Sequence, residues 1–214
     1  MDKILKILIV GPQASGKGTQ AKMLSEKFNI PIFSTGNILR QKIVQGDELG
    51  KQLAGIMNKG ELVSDEMVNQ IIKEKIEKDG KNGYILDGYP RNLSQAEFLD
   101  GVDELIYVFE VEVTDAEAIR RISGRRTCNK CQEVYHLEYN PPQVADKCDK
   151  CGGELIIRED EQPAVVVQRL KNYHELTEPI LKFYKAKNIY YKINGEQSIG
   201  KVNVDILKIL NDNH

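Results

Sequence analysis

The sequence predicts an α/β fold in which a five-stranded parallel sheet carries helices on both faces and a small β-rich module is inserted into the chain. Three observations support this prediction. Short apolar runs rich in β-forming residues alternate with helix-like segments. A glycine-rich turn directly follows the first of these runs. Between Arg125 and Glu161, turn residues and paired cysteines replace the helical periodicity, which indicates a separate module.

Five apolar runs supply the candidate strands. Helix-like segments separate them, and this alternation is typical of the crossovers that build a parallel sheet. The final segment, "SIGKVNVDILKILN", spaces its apolar residues for a helix with one apolar face. The candidate strands are "ILKILIV" (4–10), "PIFST" (31–35), "YILD" (84–87), "LIYVFEV" (105–111) and "IYYKIN" (189–194).

Length and composition indicate an ordinary globular protein. The 214 residues suffice for one substantial domain with an insert, or for two small domains. The formal net charge of −2 argues against a dedicated nucleic-acid-binding protein, because such proteins are generally basic. No apolar run reaches membrane-spanning length, and "MDKILKILIV" leads into a strand pattern without a signal-type cleavage site. We therefore expect a cytoplasmic protein.

The stretch "GPQASGKGTQ" (11–20) has the spacing of a phosphate-binding loop between a strand and a helix. In such a loop the backbone N–H groups and the helix N-terminus hold phosphate oxygens, and Lys17 would reach the terminal phosphates. The alternative, a glycine-rich turn with an exposed lysine, is disfavoured by this context. Gly18 stands where the common loop has the hydroxyl that binds magnesium, and a hydroxyl follows only at Thr19.

The ending "GKGTQ" is the form found in nucleoside monophosphate kinases, and further motifs resemble those of the adenylate kinase family in the same order. They are "STGNILR" (34–40), "GELVSDE" (60–66), "LDGYPRNLSQAE" (86–97), "SGRRTC" (123–128) and "NYHELTEP" (172–179). The resemblance covers essentially the whole chain. It implies a P-loop kinase fold with three parts, which are the core (1–33, 64–123 and 162–214), the monophosphate-binding arm (34–63) and the zinc-bound lid (124–161).

The resemblance also implies a reaction, in which MgATP and AMP give two molecules of ADP without a covalent intermediate. The chemistry of arginine independently supports such a reaction, because several phosphate groups must be held together and a guanidinium binds phosphate bidentately. Two arginines would hold the AMP phosphate, and three would close over the transferring group with the lysine. The expected catalytic residues are Lys17, Arg40, Arg91, Arg125, Arg158 and Arg169.

By the same resemblance, two sets of residues bind the nucleotides. Within them, Thr35 and Gln95 would contact the adenine of AMP, since the amide of Gln95 offers a donor and an acceptor. The residues expected to bind ATP are Ala14, Ser15, Gly16, Lys17, Gly18, Thr19, Arg125, Val134, Tyr135 and Gln197. The residues expected to bind AMP are Thr35, Arg40, Glu61, Leu62, Val63, Gly88, Tyr89, Pro90, Arg91, Gln95, Arg158 and Arg169.

A carboxylate ends the strand "YILD". At the carboxyl end of a strand beside a phosphate loop, Asp87 is suited to orient water bound to Mg²⁺. The metal would then be held mainly by nucleotide oxygens and water. On this hypothesis the loop needs no hydroxyl that binds the metal directly, which accounts for Gly18.

Two CxxC pairs, "CNKC" and "CDKC", are separated by sixteen residues, a spacing typical of a tetrahedral zinc site. Iron is the alternative metal for four thiolates. Disulfides are disfavoured in a chain without a secretory signal, and a thioredoxin-like redox motif would not need two copies. The metal is expected to be structural, because protein sulfurs fill all four positions. The ligands are Cys128, Cys131, Cys148 and Cys151.

The lid offers few candidates for a core of its own, so metal binding is expected to stabilise its fold. The candidates are Val134, Tyr135, Leu137, Leu155, Ile156 and Ile157.

Three residues and one segment depart from the family pattern. Ala14 replaces a glycine, Asn37 replaces an aspartate that would support magnesium's water shell, Ser64 replaces a proline, and "REDE" (158–161) shifts the usual acidic pair.

Two other functions compete with this interpretation. A kinase for another monophosphate shares the core pattern, although those for UMP and CMP generally lack a long lid. A zinc-ribbon protein that binds nucleic acid with a vestigial nucleotide site is the alternative from another class, and the acidic balance weighs against it. The expected partners are ATP, AMP and ADP, with no nucleic acid and no membrane, and the expected state is a monomer.

Overall fold

The computed structural model describes residues 4–212, and these residues form two sheets. Their eight strands are β1 (Lys6–Val10), β2 (Ile32–Ser34), β3 (Tyr84–Asp87), β4 (Tyr107–Glu112), β5 (Arg125–Cys128), β6 (Val134–His136), β7 (Leu155–Ile156) and β8 (Tyr190–Asn194). The central sheet has five parallel strands in the order β2-β3-β1-β4-β8. The small sheet has the order β6-β5-β7 with antiparallel pairing.

Helices connect the strands of the central sheet. They are α1 (Lys17–Phe28), α2 (Thr35–Gln45), α3 (Glu48–Met57), α4 (Asp65–Asp79), α5 (Leu93–Val102), α6 (Asp115–Ser123), α7 (Pro163–Asn172), α8 (Ile180–Ala186) and α9 (Ile199–Asp212). A 3₁₀ turn (Glu159–Glu161) precedes α7, and a π-helical turn (Tyr173–Thr177) separates α7 from α8. Among residues 4–212, none of these helices combines the length and the apolar character needed to span a membrane.

The predicted α/β class and its five parallel strands are confirmed. Each candidate run coincides with one strand of the central sheet, although β4 extends one residue beyond its run to Glu112, and "YILD" matches β3 at both ends. Successive side chains of β1 point to opposite faces of the sheet, which explains why helices pack on both faces. Ile7 and Ile9 belong to the hydrophobic cluster that α1 and α9 complete, whereas Leu8 and Val10 belong to the cluster completed by α4, α5 and α8. Because the five strands are parallel, their carboxyl ends lie at the same edge of the sheet, where loops can form a site.

The small sheet lies in the lid and has almost no apolar core. Its buried cluster consists of two cysteines with Tyr135 and Leu155. The expectation that four further residues contribute to a lid core was wrong, since each is 40–51% exposed. A sheet of three strands with two to four residues each has too little area to bury them. The four exposed residues are Val134, Leu137, Ile156 and Ile157.

Candidate active site

The loop between β1 and α1 requires glycine at both of its ends. Gly11 has a φ of +151°, and an added Cβ would lie 2.4 Å from the carbonyl oxygen of Val111. Gly16, the residue before α1, has a φ of +99°. L side chains rarely adopt these conformations. The first turn of α1 carries no acidic residue, so its free N–H groups face the loop without a competing carboxylate.

Lys17 begins α1 and points back to the loop, where its Nζ donates a hydrogen bond of 2.6 Å to the carbonyl oxygen of Pro12. Loss of hydration lowers the pKa of Lys17 to about 8. Attraction by Asp87 opposes this shift, and repulsion by Arg91 and two further arginines adds to it. The lysine therefore lies among other cations in a poorly hydrated site.

Five arginines from all three parts of the chain converge on this site. Burial lowers the pKa of Arg40 and Arg91 to about 10 and that of Arg158 to about 9, and repulsion from neighbouring arginines contributes in each case. These three arginines remain protonated at neutral pH. The arginines are Arg40 on α2, Arg91 after β3, Arg125 on β5, Arg158 before the 3₁₀ turn and Arg169 on α7.

Two buried carboxylates lie among these arginines. Asp160 Oδ2 accepts a hydrogen bond of 2.7 Å from Arg169 Nη1 and lies 3.8 Å from Arg40 Nη1. Glu161 forms ion pairs with Arg125 and Arg158. This pair was not among the predicted site residues, and its signals in the sequence were the acidic pair in "REDE" (158–161) and its position next to Arg158. Together with Asp87, the carboxylates number three against six cations, so the site has excess positive charge.

Several guanidinium donors at this site have no acceptor. Among residues 4–212, the buried Nε atoms of Arg40, Arg125 and Arg158 have no hydrogen-bond partner. Buried polar groups in native proteins are normally paired, so these donors fit the oxygens of an anion. With the excess of positive charge, they make the site suitable for several phosphate groups.

A cavity beside the arginines brings together most of the residues predicted to bind AMP. Those that line it are Thr35, Glu61, Leu62, Val63, Gly88, Arg91 and Gln95. Leu39, Met57 and Val68 complete the lining, and our sequence analysis missed them because they follow ordinary core periodicity. Tyr89 and Pro90 are buried but do not line the cavity, and the Tyr89 hydroxyl donates to Asn69 Oδ1 at 2.6 Å.

A second cavity connects this pocket with the arginines. It shares Met57, Glu61 and Arg91 with the first cavity. Its other lining residues are Arg40, Gly60, Asp160 and Arg169. One cavity is thus mainly apolar with a few polar groups, and the adjoining one is cationic. This arrangement fits a base at one end and a phosphate at the other.

The residues predicted to bind ATP are placed around the loop and the lid. Ala14 has a φ of +59° and Ser15 is buried, whereas Gly18 and Thr19 are exposed. Val134 is exposed on β6. The ring of its neighbour Tyr135 faces the cysteines instead, since its hydroxyl contacts Cys148 Sγ at 3.5 Å. Only the backbone of Tyr135 thus remains available to a nucleotide.

Gln197 lies between β8 and α9, and its Nε2 donates a hydrogen bond of 2.6 Å to Asp205 Oδ2. Arg121, which our sequence analysis did not identify, joins this segment to the phosphate loop. Its guanidinium donates to the carbonyl oxygens of Ser15 at 3.4 Å and Gly195 at 2.9 Å. The two segments predicted to bind ATP are therefore held side by side.

Asp87 ends β3 beside the phosphate loop, and Ser34 Oγ donates a hydrogen bond of 3.1 Å to its Oδ2. A Cβ added to Gly18 would lie 3.7 Å from the same oxygen. The carboxylate thus borders the space that Gly18 leaves open, which suits a hydrated cation. Asn37 Oδ1 accepts a hydrogen bond of 3.1 Å from Arg40 Nη2, so this residue is engaged with the arginine.

The four cysteines form one cluster, in which all sulfur atoms lie within 4.8 Å of one another. Cys128 and Cys151, like Cys131 and Cys148, have sulfurs 3.5 Å apart, and all four are free of disulfides. A tetrahedral site with Zn–S bonds of about 2.3 Å separates its sulfurs by about 3.8 Å. A Cβ at Gly153 would lie 2.8 Å from Cys128 Sγ, which explains the glycine. The cluster fits a metal ion held by four sulfurs.

Arm and lid both contact the core in this structure. Lys22 Nζ on α1 donates a hydrogen bond of 2.7 Å to Glu133 Oε1 in the lid. Asn172 Nδ2 at the end of α7 donates one of 2.9 Å to the carbonyl oxygen of Gly60 in the arm. The cationic residues are therefore brought together where segments 34–63 and 124–161 contact the rest of the chain.

Comparison with known proteins points to one family. A family model described as adenylate kinase matches residues 9–189. An adenylate kinase of Methanothrix thermoacetophila is 44% identical over 212 residues, which cover 96% of this chain and 98% of that protein. One of Archaeoglobus fulgidus is 45% identical, with the same coverage of both chains. One of Caldicellulosiruptor bescii is 43% identical, and the match covers 96% of this chain and 99% of that protein.

Proposed function

This chain belongs to the adenylate kinase family, and we propose that it transfers the terminal phosphoryl group of MgATP to AMP through Lys17 and five converging arginines. It is a phosphotransferase, and its reversible reaction gives two molecules of ADP. The convergence of six cations against three carboxylates carries the assignment of these residues, because the reaction must hold several anionic phosphates close together.

The two adjoining cavities support the assignment of the AMP site. In this proposal the adenine lies against Leu39 and Val68 and contacts Thr35 and Gln95. The AMP phosphate lies in the cationic cavity, where Arg40 and Arg91 bind its oxygens. A phosphate there would also provide an acceptor for the unpaired Nε of Arg40.

The geometry of the phosphate loop supports the assignment of the ATP site. Its backbone N–H groups and Lys17 would bind the terminal phosphates, and Arg125, Arg158 and Arg169 would stabilise the charge on the transferring group. No side chain forms a covalent bond in this proposal. The residues act by holding donor and acceptor in line, by stabilising charge and by excluding water.

Magnesium bound with ATP supplies additional positive charge to the polyphosphate. In the proposed site Asp87 orients its bound water, which fits the open space beside Gly18. A high-resolution complex in which Thr19 or Asp87 directly coordinates the ion would contradict this role.

The cysteine cluster supports a structural zinc ion held by the lid. The donor set of four sulfurs suits zinc, and the site has no open position for a substrate. Because the lid buries so few apolar side chains, the metal would provide much of its stability. We also propose the division into core, arm and lid with the boundaries given above.

The acceptor nucleotide distinguishes this function from that of related kinases. The value of kcat/KM for ADP formation from MgATP should be at least tenfold higher with AMP as acceptor than with CMP, UMP or GMP. Preference for another monophosphate would contradict the proposal.

We expect the enzyme to act as a cytoplasmic monomer without nucleic acid or membrane partners. The formal net charge of −2 supports the absence of a nucleic-acid partner. A gel-shift experiment at moderate salt, run beside the ADP assay, tests the zinc-ribbon alternative. Retardation of DNA or RNA with no ADP formation would favour that alternative.

A further inference from the structure

The amide of Gln95 lines the first cavity and is held by two hydrogen bonds of opposite kind. Its Nε2 donates to Asp65 Oδ1 at 2.7 Å, and its Oε1 accepts from the backbone N–H of Arg91, also at 2.7 Å. Gln95 is only 2% exposed. Since water has little access to these groups, both contacts strongly constrain the amide.

Asp65 is itself held in place. It is the first residue of α4, and both of its carboxylate oxygens accept from Asn92 Nδ2, at 3.0 and 3.1 Å. Asn92 caps α5, and its Oδ1 accepts a hydrogen bond of 2.9 Å from the backbone N–H of Gln95. The carboxylate is thus fixed between the N-termini of two helices and is aimed at the Gln95 amide.

The chemistry of the two partners determines the orientation of the amide. An ionised carboxylate only accepts, and a backbone N–H only donates. A flipped Gln95 would direct its Oε1 at Asp65 and its Nε2 at the N–H of Arg91, so both contacts would become repulsive. The amide therefore keeps one orientation. One N–H and one oxygen lone pair remain for a ligand in the cavity, at fixed positions.

We propose that Asp65 sets the purine specificity of the acceptor site by fixing this orientation for a 6-aminopurine. The inference rests on the proposed function, in which Gln95 contacts the base. Adenine presents a donor at its 6-amino group and an acceptor at N1, whereas a 6-oxopurine presents an acceptor and a donor in these places. A fixed amide matches only one of these two patterns, and a flipped amide matches the other. Asp65 is a positioning residue that acts through Gln95.

The test compares AMP with IMP as acceptors, because the two differ at the 6-position and N1. Both kcat and KM are measured at saturating MgATP for Asp65→Ala and for Glu66→Ala. Glu66 is an exposed neighbour in the same helical turn, so its variant removes the same charge without touching Gln95. For Asp65→Ala we expect kcat/KM for AMP to fall about tenfold, mainly through KM, while that for IMP stays within twofold or rises. The ratio of kcat/KM for AMP to kcat/KM for IMP should fall at least fivefold in Asp65→Ala. Glu66→Ala should keep the wild-type ratio.

Equal losses with AMP and IMP in Asp65→Ala would mean a purely structural role and would overturn the inference, as would an unchanged ratio. If Asp65→Ala melts below the assay temperature, Asp65→Asn provides the test of the positioning role. Its amide can present either an oxygen or an NH2 group to Gln95, so it no longer enforces one orientation and the ratio should fall at least twofold; an unchanged ratio overturns the inference. Gln95→Met separates the two proposals. If this variant keeps the wild-type ratio, the base contact in the proposed function is wrong. If the AMP-to-IMP ratio falls in Gln95→Met but stays at the wild-type value in both Asp65 variants, only the role of Asp65 is wrong.

Discussion

Lys22 on α1 and Glu133 in the lid form a hydrogen-bonded ion pair of 2.7 Å across 111 residues of sequence. The hydrogen bond raises the pKa of Lys22 and lowers that of Glu133. The pair joins the helix that follows the phosphate loop to the cysteine module. It is one contact between the lid and the core beside a site in which six cations lie close together.

We expect the arm and the lid to move away from the core in solution without nucleotides, because separation of the parts hydrates the buried cations. Labels at the exposed positions Val144 in the lid and Lys208 on α9 should be closer with a bisubstrate dinucleotide than without ligand. Reopening should also limit turnover. Lys22→Gln should therefore raise kcat, by at most about threefold given the small energies of exposed ion pairs. An unchanged label distance in protein that binds the analogue would reject closure.

Lys17→Met and Arg91→Met should each lower turnover about a hundredfold or more, because each removes a charged contact to phosphate. The fold should survive, since both side chains belong to the site and not to the hydrophobic clusters. Lys27→Met, which changes an exposed lysine at the other end of α1, is the matched control. Folded variants with near-native turnover would show that the assigned roles are wrong.

The pH dependence of ATP use should report the titration of Lys17. Because burial lowers its pKa from 10.5 to about 8, Lys17 is charged below pH 8 and loses its charge above it. We expect kcat/KM for ATP to fall as the pH rises above about 8. The buried charge also costs folding free energy below pH 8, and this cost is relieved between pH 8 and 10.5.

Lys17→Arg is the control for this profile, because a guanidinium stays charged and the alkaline decline should move to higher pH. A wild-type profile that stays flat up to pH 10 would contradict the assignment to Lys17.

Removal of the metal should affect the lid before the core. The hydrophobic cluster of the lid consists only of cysteines with Tyr135 and Leu155, whereas the central sheet has large hydrophobic clusters on both faces. Protein treated with a chelator should keep most of its circular dichroism signal but lose activity and melt at a lower temperature. Cys131→Ser should behave similarly and bind less zinc. If the metal-free protein is as stable as the metal-bound form, the structural role of the metal is wrong.

Ala14→Gly should stabilise the protein. Ala14 has a φ of +59°, in the left-handed region where a Cβ costs about 1–2 kcal/mol. Glycine loses about 0.4–1 kcal/mol through the greater freedom of the unfolded chain, and it also loses the packing of the Ala14 methyl against the cluster that contains Val113 and Leu170, so the net gain is at most about 1 kcal/mol. Urea unfolding measures this difference. Ala54→Gly, within α3, is the matched control and should lower the free energy of unfolding by about 0.5–1 kcal/mol.

The sequence alone predicted the sheet and the parts of the site that depend on local spacing. Strand runs are visible because strands buried on both faces are mainly apolar, as β1 is after Lys6 and β3 is before Asp87. The ends of the phosphate loop are visible because Gly11 and Gly16 need backbone conformations open to glycine. The cysteine pairs are visible because each CxxC turn places two sulfurs on one side.

Only the tertiary structure decided which lid side chains are buried and which distant groups meet. A strand pattern shows two faces but not whether anything covers them, so Val134 and Ile156 looked like core residues and are exposed. Asp160 lies between Arg40 and Arg169 because arm and core close around the end of the lid. Asp65 meets Gln95 thirty residues later because two helices begin side by side. Such contacts depend on how separate elements pack, and local spacing carries no record of that packing.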